Sequence, residues 1–156
     1  MLVVVFFIFG CASATAPLFT ESLQGEHNGK AIVYFYRNSQ PGSASTLDLQ
    51  INEGATLPLI NKGYYLLILE PGTYDFKVSH KSKILLQEKL RFKAGEKYYL
   101  RFRVYIASSI PSLYGGIGIP GHKITSDPRD EAIDVLKECR LIEVPENKNG
   151  YIQIGK

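Results

Sequence analysis

The residues able to do chemistry are few and scattered. Cysteines stand at positions 11 and 139, and histidines at 27, 80 and 122. A thiolate serves as nucleophile or metal ligand, and an imidazole as base or ligand. None of the three histidines has a Cys or carboxylate at metal-binding spacing. His27 sits beside Glu26, but adjacent side chains on an extended chain point opposite ways. The chain has no Gly-x-Ser-x-Gly elbow for a nucleophilic serine. Cys139 follows Ala132, Val135 and Leu136 at helical spacing, the pattern of a packed core thiol. These residues read as a chain that is not an enzyme, with no metal and no cofactor.

Two further constellations suit binding. Tyr99, Arg101, Arg103 and Tyr105 alternate along one strand and would share a face. Such a stripe can recognise an acidic or sugar ligand by stacking and bidentate hydrogen bonds. It equally suits a solvated sheet face, or one covered by a C-terminal helix. Gly115-Gly116-Ile117-Gly118-Ile119-Pro120-Gly121 precedes His122-Lys123, so it lacks the Lys and Ser/Thr of a phosphate-cradling loop. Nor does it follow the strand-then-helix order of a dinucleotide site. It reads as a long connection between the last long strand and the helix. In such a loop Leu113, Tyr114, Ile117 and Ile119, with Ile110, would be exposed as a contact for a membrane or a partner.

Cys11 has a different chemistry. Residues 2–9 read Leu-Val-Val-Val-Phe-Phe-Ile-Phe, followed by Gly10 and Cys11. This run is too short to span a bilayer, which takes about 20 residues in a helix, and matches the apolar core of a signal peptide, about 7–15 residues long. Ile8-Phe9-Gly10-Cys11 resembles the bacterial lipobox, although Phe9 stands where a small residue is usual. The resemblance implies that the Cys11 thiol receives a diacylglyceryl group and that the chain is cut before it. No Lys or Arg precedes the run, so the positive charge of the segment falls to the α-amino group or to residues upstream. The alternative is a buried N-terminal strand with an ordinary core Cys. Acyl chains hold a protein to membranes by roughly 0.8 kcal/mol per buried CH₂. Residue 12 is Ala, not Asp, which in enteric-type bacteria resembles a lipoprotein passed on to the outer membrane, facing the periplasm.

Composition bounds the rest. The chain of 156 residues fits one domain with a sizeable core. Its 10 Tyr and 8 Phe favour strands. Net charge is +3, with no Lys/Arg cluster that would mark a nucleic-acid partner.

The elements that must position these residues are mostly strands. Residues 30–37 are β-branched and aromatic, a strand buried on both faces. Leu47, Leu49 and Ile51 alternate with polar residues. Pro58 places its short strand at an edge. Tyr64 to Leu69 reads as a second central strand. Tyr74, Phe76 and Val78 alternate after the Pro71-Gly72 turn. In residues 84–92 Glu88 shares a face with Leu86, Leu90 and Phe92, which predicts a bulge or an edge. Tyr98, Leu100, Phe102, Val104 and Ile106 line one side of the longest strand. The one helix is expected at about 128–139, capped by Ser126 or Asp127 with Pro128 in its first position. Leu141 to Val144 fit a last strand. Runs at this spacing argue for a small antiparallel β-sandwich with one C-terminal helix.

The order Ala-Ile-Val-Tyr-Phe-Tyr-Arg, Asn-Glu-Gly, Lys-Gly-Tyr-Tyr, Glu-Pro-Gly-Thr-Tyr resembles domain-of-unknown-function family 2846, a group of bacterial lipoproteins. The long aromatic strand after Gly95-Glu96 and the helix Glu131 to Lys137 are similar too, so the resemblance spans about residues 30–142. The Pro71-Gly72-Thr73-Tyr74 turn also resembles turns of transthyretin-like sandwich modules, which bind or scaffold. Shared fold carries little about function.

The expected organisation is a signal peptide over 1–10, a lipidated Cys11 and flexible tether over 11–29, a sandwich over 30–144 and a C-terminal tail over 145–156. The expected function is a lipid-anchored, non-enzymatic binding or scaffold module of the cell envelope, partnered by the membrane and an envelope protein or glycan. A peptidoglycan- or glycan-binding protein using the Tyr/Arg face is the alternative. An envelope hydrolase is the third reading, and it would need a pocket with converging polar groups.

Overall fold

The computed structural model describes residues 19, 29–38, 45–110, 117–143 and 152–154. The elements in chain order are β1 (Ala31–Arg37), β2 (Leu47–Ile51), β3 (Leu57–Leu59), β4 (Gly63–Leu69), β5 (Gly72–His80), β6 (Lys83–Phe92), β7 (Lys97–Ile110), β8 (Ile117–Ser126), α1 (Arg129–Leu136), β9 (Arg140–Leu141) and β10 (Ile152–Ile154). They build a mainly β, two-sheet sandwich with one late helix. The first sheet has the order β10-β4-β1-β7-β8, with β9 also on β4. The second has the order β3-β2-β5-β6. Antiparallel ladders dominate, but β1 runs parallel to β7, and β9 and β10 run parallel to β4.

Period-two alternation decides which side chains meet between the sheets. Val33, Phe35, Leu67, Leu100 and Phe102 of the first sheet face Leu49, Phe76, Val78 and Phe92 of the second. Phe35 stacks on Phe76 with ring centres 5.6 Å apart. Burying each such side chain stabilises the fold by roughly 1.5–3 kcal/mol. Two polar bridges also join the sheets. Tyr65 Oη donates to the Pro58 carbonyl at 2.6 Å, and Arg37 Nη1 donates to the Ser45 and Leu59 carbonyls at 2.8 and 3.1 Å.

β1 and β4 are buried on both faces, as their unbroken apolar runs require. Their outer residues Tyr34, Tyr36, Tyr64 and Leu66, with Tyr99, pack against Ala132, Leu136 and Cys139 of the helix region. The helix thus adds a third layer. Phe19 is buried in the same layer, edge-on to Tyr34 and Tyr64 at 5.6 and 5.4 Å. So the segment expected as a flexible tether over 11–29 holds a docked residue.

The edges follow from chemistry. Pro58 lies in β3, at an edge where its missing N–H costs nothing. β6 is the other edge and carries a bulge: Leu86 pairs Val78 and Ile84 pairs Ser79, leaving Leu85 extra. The bulge and the edge expected from Glu88 both occur.

Three expectations are corrected. The glycine-rich stretch is not a loop leading to the helix, because Ile117–Ser126 form β8, antiparallel to β7. Its glycines are what permit the pairing. A Cβ on Gly121 would lie 2.7 Å from Tyr105 Cζ and 2.9 Å from Ala107 Cβ, and one on Gly118 3.3 Å from Ile106 Cγ2. Neither Ser126 nor Asp127 caps the helix: the cap position is Pro128, with no side-chain cap bond. Finally, within the expected tail 145–156, Ile152–Ile154 pair with Leu67–Leu69 of β4.

Candidate functional site

The Tyr/Arg stripe of β7 divides along its length. Tyr99 is buried and stacks on Tyr34 with centres 5.2 Å apart. Arg101 is buried too, and its Nη2 lies 2.6 Å from Asp127 Oδ2. Tyr36 Oη donates to the same oxygen at 2.6 Å. Arg103, about one-third exposed, donates from Nη2 to Asp127 Oδ1 at 3.1 Å and from Nε to Thr125 Oγ1 at 3.0 Å. Thr125 Oγ1 lies 3.2 Å from Asp127 Oδ1. One buried carboxylate therefore gathers two guanidinium groups, a phenol and a hydroxyl. Burial first, and the Asp127 bond second, raise Tyr36 far above the usual phenol range. The cluster ties the end of β8 to β1 and β7. A ligand stacking on Tyr99 or forking onto Arg101 would have to displace these contacts, so the expected four-residue face keeps only Arg103 and Tyr105 within reach of solvent.

Beyond this point β7 and β8 run on as a two-stranded ribbon. Tyr105 is half exposed, with Lys123 Nζ 5.2 Å from its ring centre. Ile106 and Ile119 are exposed. Of the expected contact loop, Ile119 is thus on the surface of a strand, Ile117 opens β8 opposite Ile110, and Leu113 and Tyr114 lie outside the described residues.

A cleft of about 560 Å³ opens where this ribbon passes the end of the second sheet. Its lining comes from the end of β1 (Arg37), the start of β2 (Ser45, Leu47), the β5–β6 hairpin (His80, Lys83, Ile84, Leu85) and the ribbon (Val104, Ile119, Pro120, His122). The hairpin turns through Lys81 and Ser82, both at positive φ of 48° and 66°. That is the left-handed region, which non-glycine residues enter at a cost. The turn sets His80 opposite Lys83 across the hairpin, and the Leu85 bulge re-aims the strand just after it. Across the cleft His122 stacks on Phe102 at 5.9 Å. Burial, and then the Lys83 charge, hold His122 below the usual histidine value.

A family model described as "Protein of unknown function (DUF2846)" matches residues 27–117. The chain belongs to this family. No curated protein and no solved structure matched it. The DUF2846 match covers β1 to β7, and with them Arg37, His80, Lys83 and Val104 of the cleft. β8 after its first residue and the helix, with His122 and Asp127, lie beyond the matched residues.

Cys139 sits fully buried under the helix, its thiol donating to the Val135 carbonyl at 3.4 Å. Burial pushes it up to about 12, so the nucleophilic thiolate is suppressed at neutral pH. Cys11 lies outside the described residues. Among the described residues no three of His, Cys, Asp and Glu gather as a metal site, and no helix is long and apolar enough to cross a membrane. The sequence reading of this DUF2846 chain did not pick out Arg37, His80, Lys83 and His122 as a group. They are spread over 86 residues of chain, and only the sandwich brings them to one end.

Proposed function

We propose that this DUF2846 protein is a lipid-anchored binding or scaffold module of the bacterial envelope that works without catalysis. The observation that carries the binding reading is the open cleft at the end of the sandwich, lined by basic and apolar side chains from six strands. Loop-bearing ends of rigid sandwiches are where such domains bind. The buried carboxylate Asp127 is held by structural partners, which supports a role in stability for it.

The anchor reading rests on Ile8-Phe9-Gly10-Cys11 and on Ala12, which favours the outer membrane, facing the periplasm. Phe19 adds a distance to it. From Cys11 to Phe19 is eight residues, a span of at most about 28 Å when fully extended. With Phe19 docked under the helix, an acylated Cys11 would keep the sandwich close to the bilayer surface.

The test is incorporation of clickable palmitate, with membrane fractionation, for wild type and Cys11→Ala in a bacterial host. Label and membrane association in the wild type alone are expected. A wild type that takes no label overturns the anchor and the localisation with it.

A further inference from the structure

We infer that the cleft at the end of the sandwich is a binding site for an oxyanion group, phosphate or carboxylate, seated among Arg37, His80, Lys83 and His122. The inference deepens the binding-module reading above and rests on it.

Charge and placement carry the argument. Four nitrogen-bearing side chains line the cleft, and among the described residues lining it there is no carboxylate. Lys83 forms no ion pair among the described residues, although it stands near enough to His122 to disfavour its protonation. Some cations elsewhere on the domain meet a carboxylate, Lys30 with Glu70, Lys62 with Glu138 and Lys137 with Asp134, whereas the described lining of the cleft offers Lys83 none. Bringing like-charged or positively polarised groups together costs free energy that an anion between them would recover. Arg37 contributes a rigid floor, because its Nη1 is held by the Ser45 and Leu59 carbonyls. Its fixed positive charge adds to the potential that an oxyanion in the cleft would meet. His80 and Lys83 arrive on a hairpin whose turn residues both occupy the left-handed region. A two-residue turn of this conformation is the tight hairpin turn, which holds His80 and Lys83 side by side across the ladder.

The walls of the cleft are apolar. Ile84, Leu85, Val104 and Ile119 stand beside the basic groups, and Ile84 and Ile119 are exposed. A volume of about 560 Å³ exceeds what a bare phosphate needs and falls in the range of small-molecule sites. An organic phosphate or carboxylate, charged at one end and apolar at the other, therefore fits better than the free ion.

The experiment uses the full chain in a neutral detergent, labelled with ¹³C-histidine. The His80 and His122 ring signals are assigned through His80→Gln and His122→Gln. Four probes are titrated: inorganic phosphate, butyl phosphate, pentanoate and butyl glucoside. Both signals should shift with butyl phosphate, at a dissociation constant of about 1 mM, and Lys83→Gln should weaken binding about tenfold. Lys83 is exposed, so its replacement leaves the fold intact. Tighter binding of butyl phosphate than of inorganic phosphate assigns an organic phosphoester, and tighter binding of pentanoate than of either assigns an organic carboxylate. Equal affinity of the two phosphates assigns the free anion. If butyl glucoside shifts the same signals as strongly, the binding-module reading stands and the oxyanion inference falls. If no probe moves either signal, or Lys83→Gln binds as wild type does, the oxyanion site is overturned, while palmitate labelling still decides the anchor by itself.

Discussion

Replacing Asp127 by alanine separates two roles that one carboxylate can play. As the cap of the helix, its loss would cost about 0.5–2 kcal/mol. As the anion of a buried cluster, its loss leaves the Arg101 guanidinium, only 10% exposed, without its counter-charge. The Tyr36 hydroxyl loses its acceptor in the same step. Removing one partner of a buried ion pair costs about 3–5 kcal/mol. Domains of this size are stable by about 5–15 kcal/mol in all, so Asp127→Ala should remove a large part of the total. Urea unfolding of the full chain, followed by near-ultraviolet circular dichroism of the tyrosines, reads this as a lower midpoint at unchanged slope. Arg101→Met in both backgrounds completes a double-mutant cycle, with an expected coupling of at least about 1.5 kcal/mol. The pair Arg101→Met with Asp127→Leu should recover much of the loss, because it removes both charges together. A cost below about 2 kcal/mol with coupling near zero would refute the cluster and return Asp127 to an ordinary cap.

Two further perturbations test other parts of the reasoning. Gly121→Ala puts a Cβ 2.7 Å from Tyr105 Cζ and 2.9 Å from Ala107 Cβ, so it should lower stability by about 1–3 kcal/mol in thermal melts. Adding Tyr105→Ala should restore part of that loss, and no loss at all would mean the β7–β8 pairing is misread. Stability should also fall on the alkaline side. The Cys139 thiol is raised by burial from 9.0 to about 12, so the folded chain holds its proton where the unfolded chain has released it. That contribution is fully present below pH 9 and is lost as pH rises toward 12, amounting to roughly 2–3 kcal/mol by pH 11. Burial raises Tyr36, Tyr64 and Tyr65 above 10.0 as well, which steepens the fall. Melting temperatures measured from pH 7 to 11 should stay flat and then drop above pH 9, and Cys139→Ala should remove part of the drop; a profile flat to pH 11 would contradict the buried proton-bound states.

What could be read in the chain beforehand divides by range of interaction. β1, β4 and β7 were legible because burial on two faces writes an unbroken apolar run and burial on one face writes a period of two. Pro58 announced an edge, and Glu88 on an inward face announced a bulge or an edge in β6, where both occur. β8 was not legible from its own residues. Its glycines and Pro120 spell a loop locally, and their meaning lies across the ladder, where Tyr105 and Ile106 need room that only glycine leaves.

Asp127 carries the same lesson with the sign reversed. Ser126-Asp127-Pro128 is a sound cap pattern, and a cap bond is worth about 1 kcal/mol. Two arginines and a phenol, from strands far back in the chain, offer that carboxylate charge-assisted bonds in a buried setting. The tertiary contacts win, and the helix starts on Pro128 without a side-chain cap. The cleft is the extreme case. Each strand brings one to three of its lining residues, and no segment holds enough of them to form a motif. A strand face has a period and so leaves a trace in the sequence. A site assembled at the end of a sandwich has none, because its geometry is set by where strands stop, and strand ends are fixed by turns and bulges such as Lys81-Ser82 and Leu85.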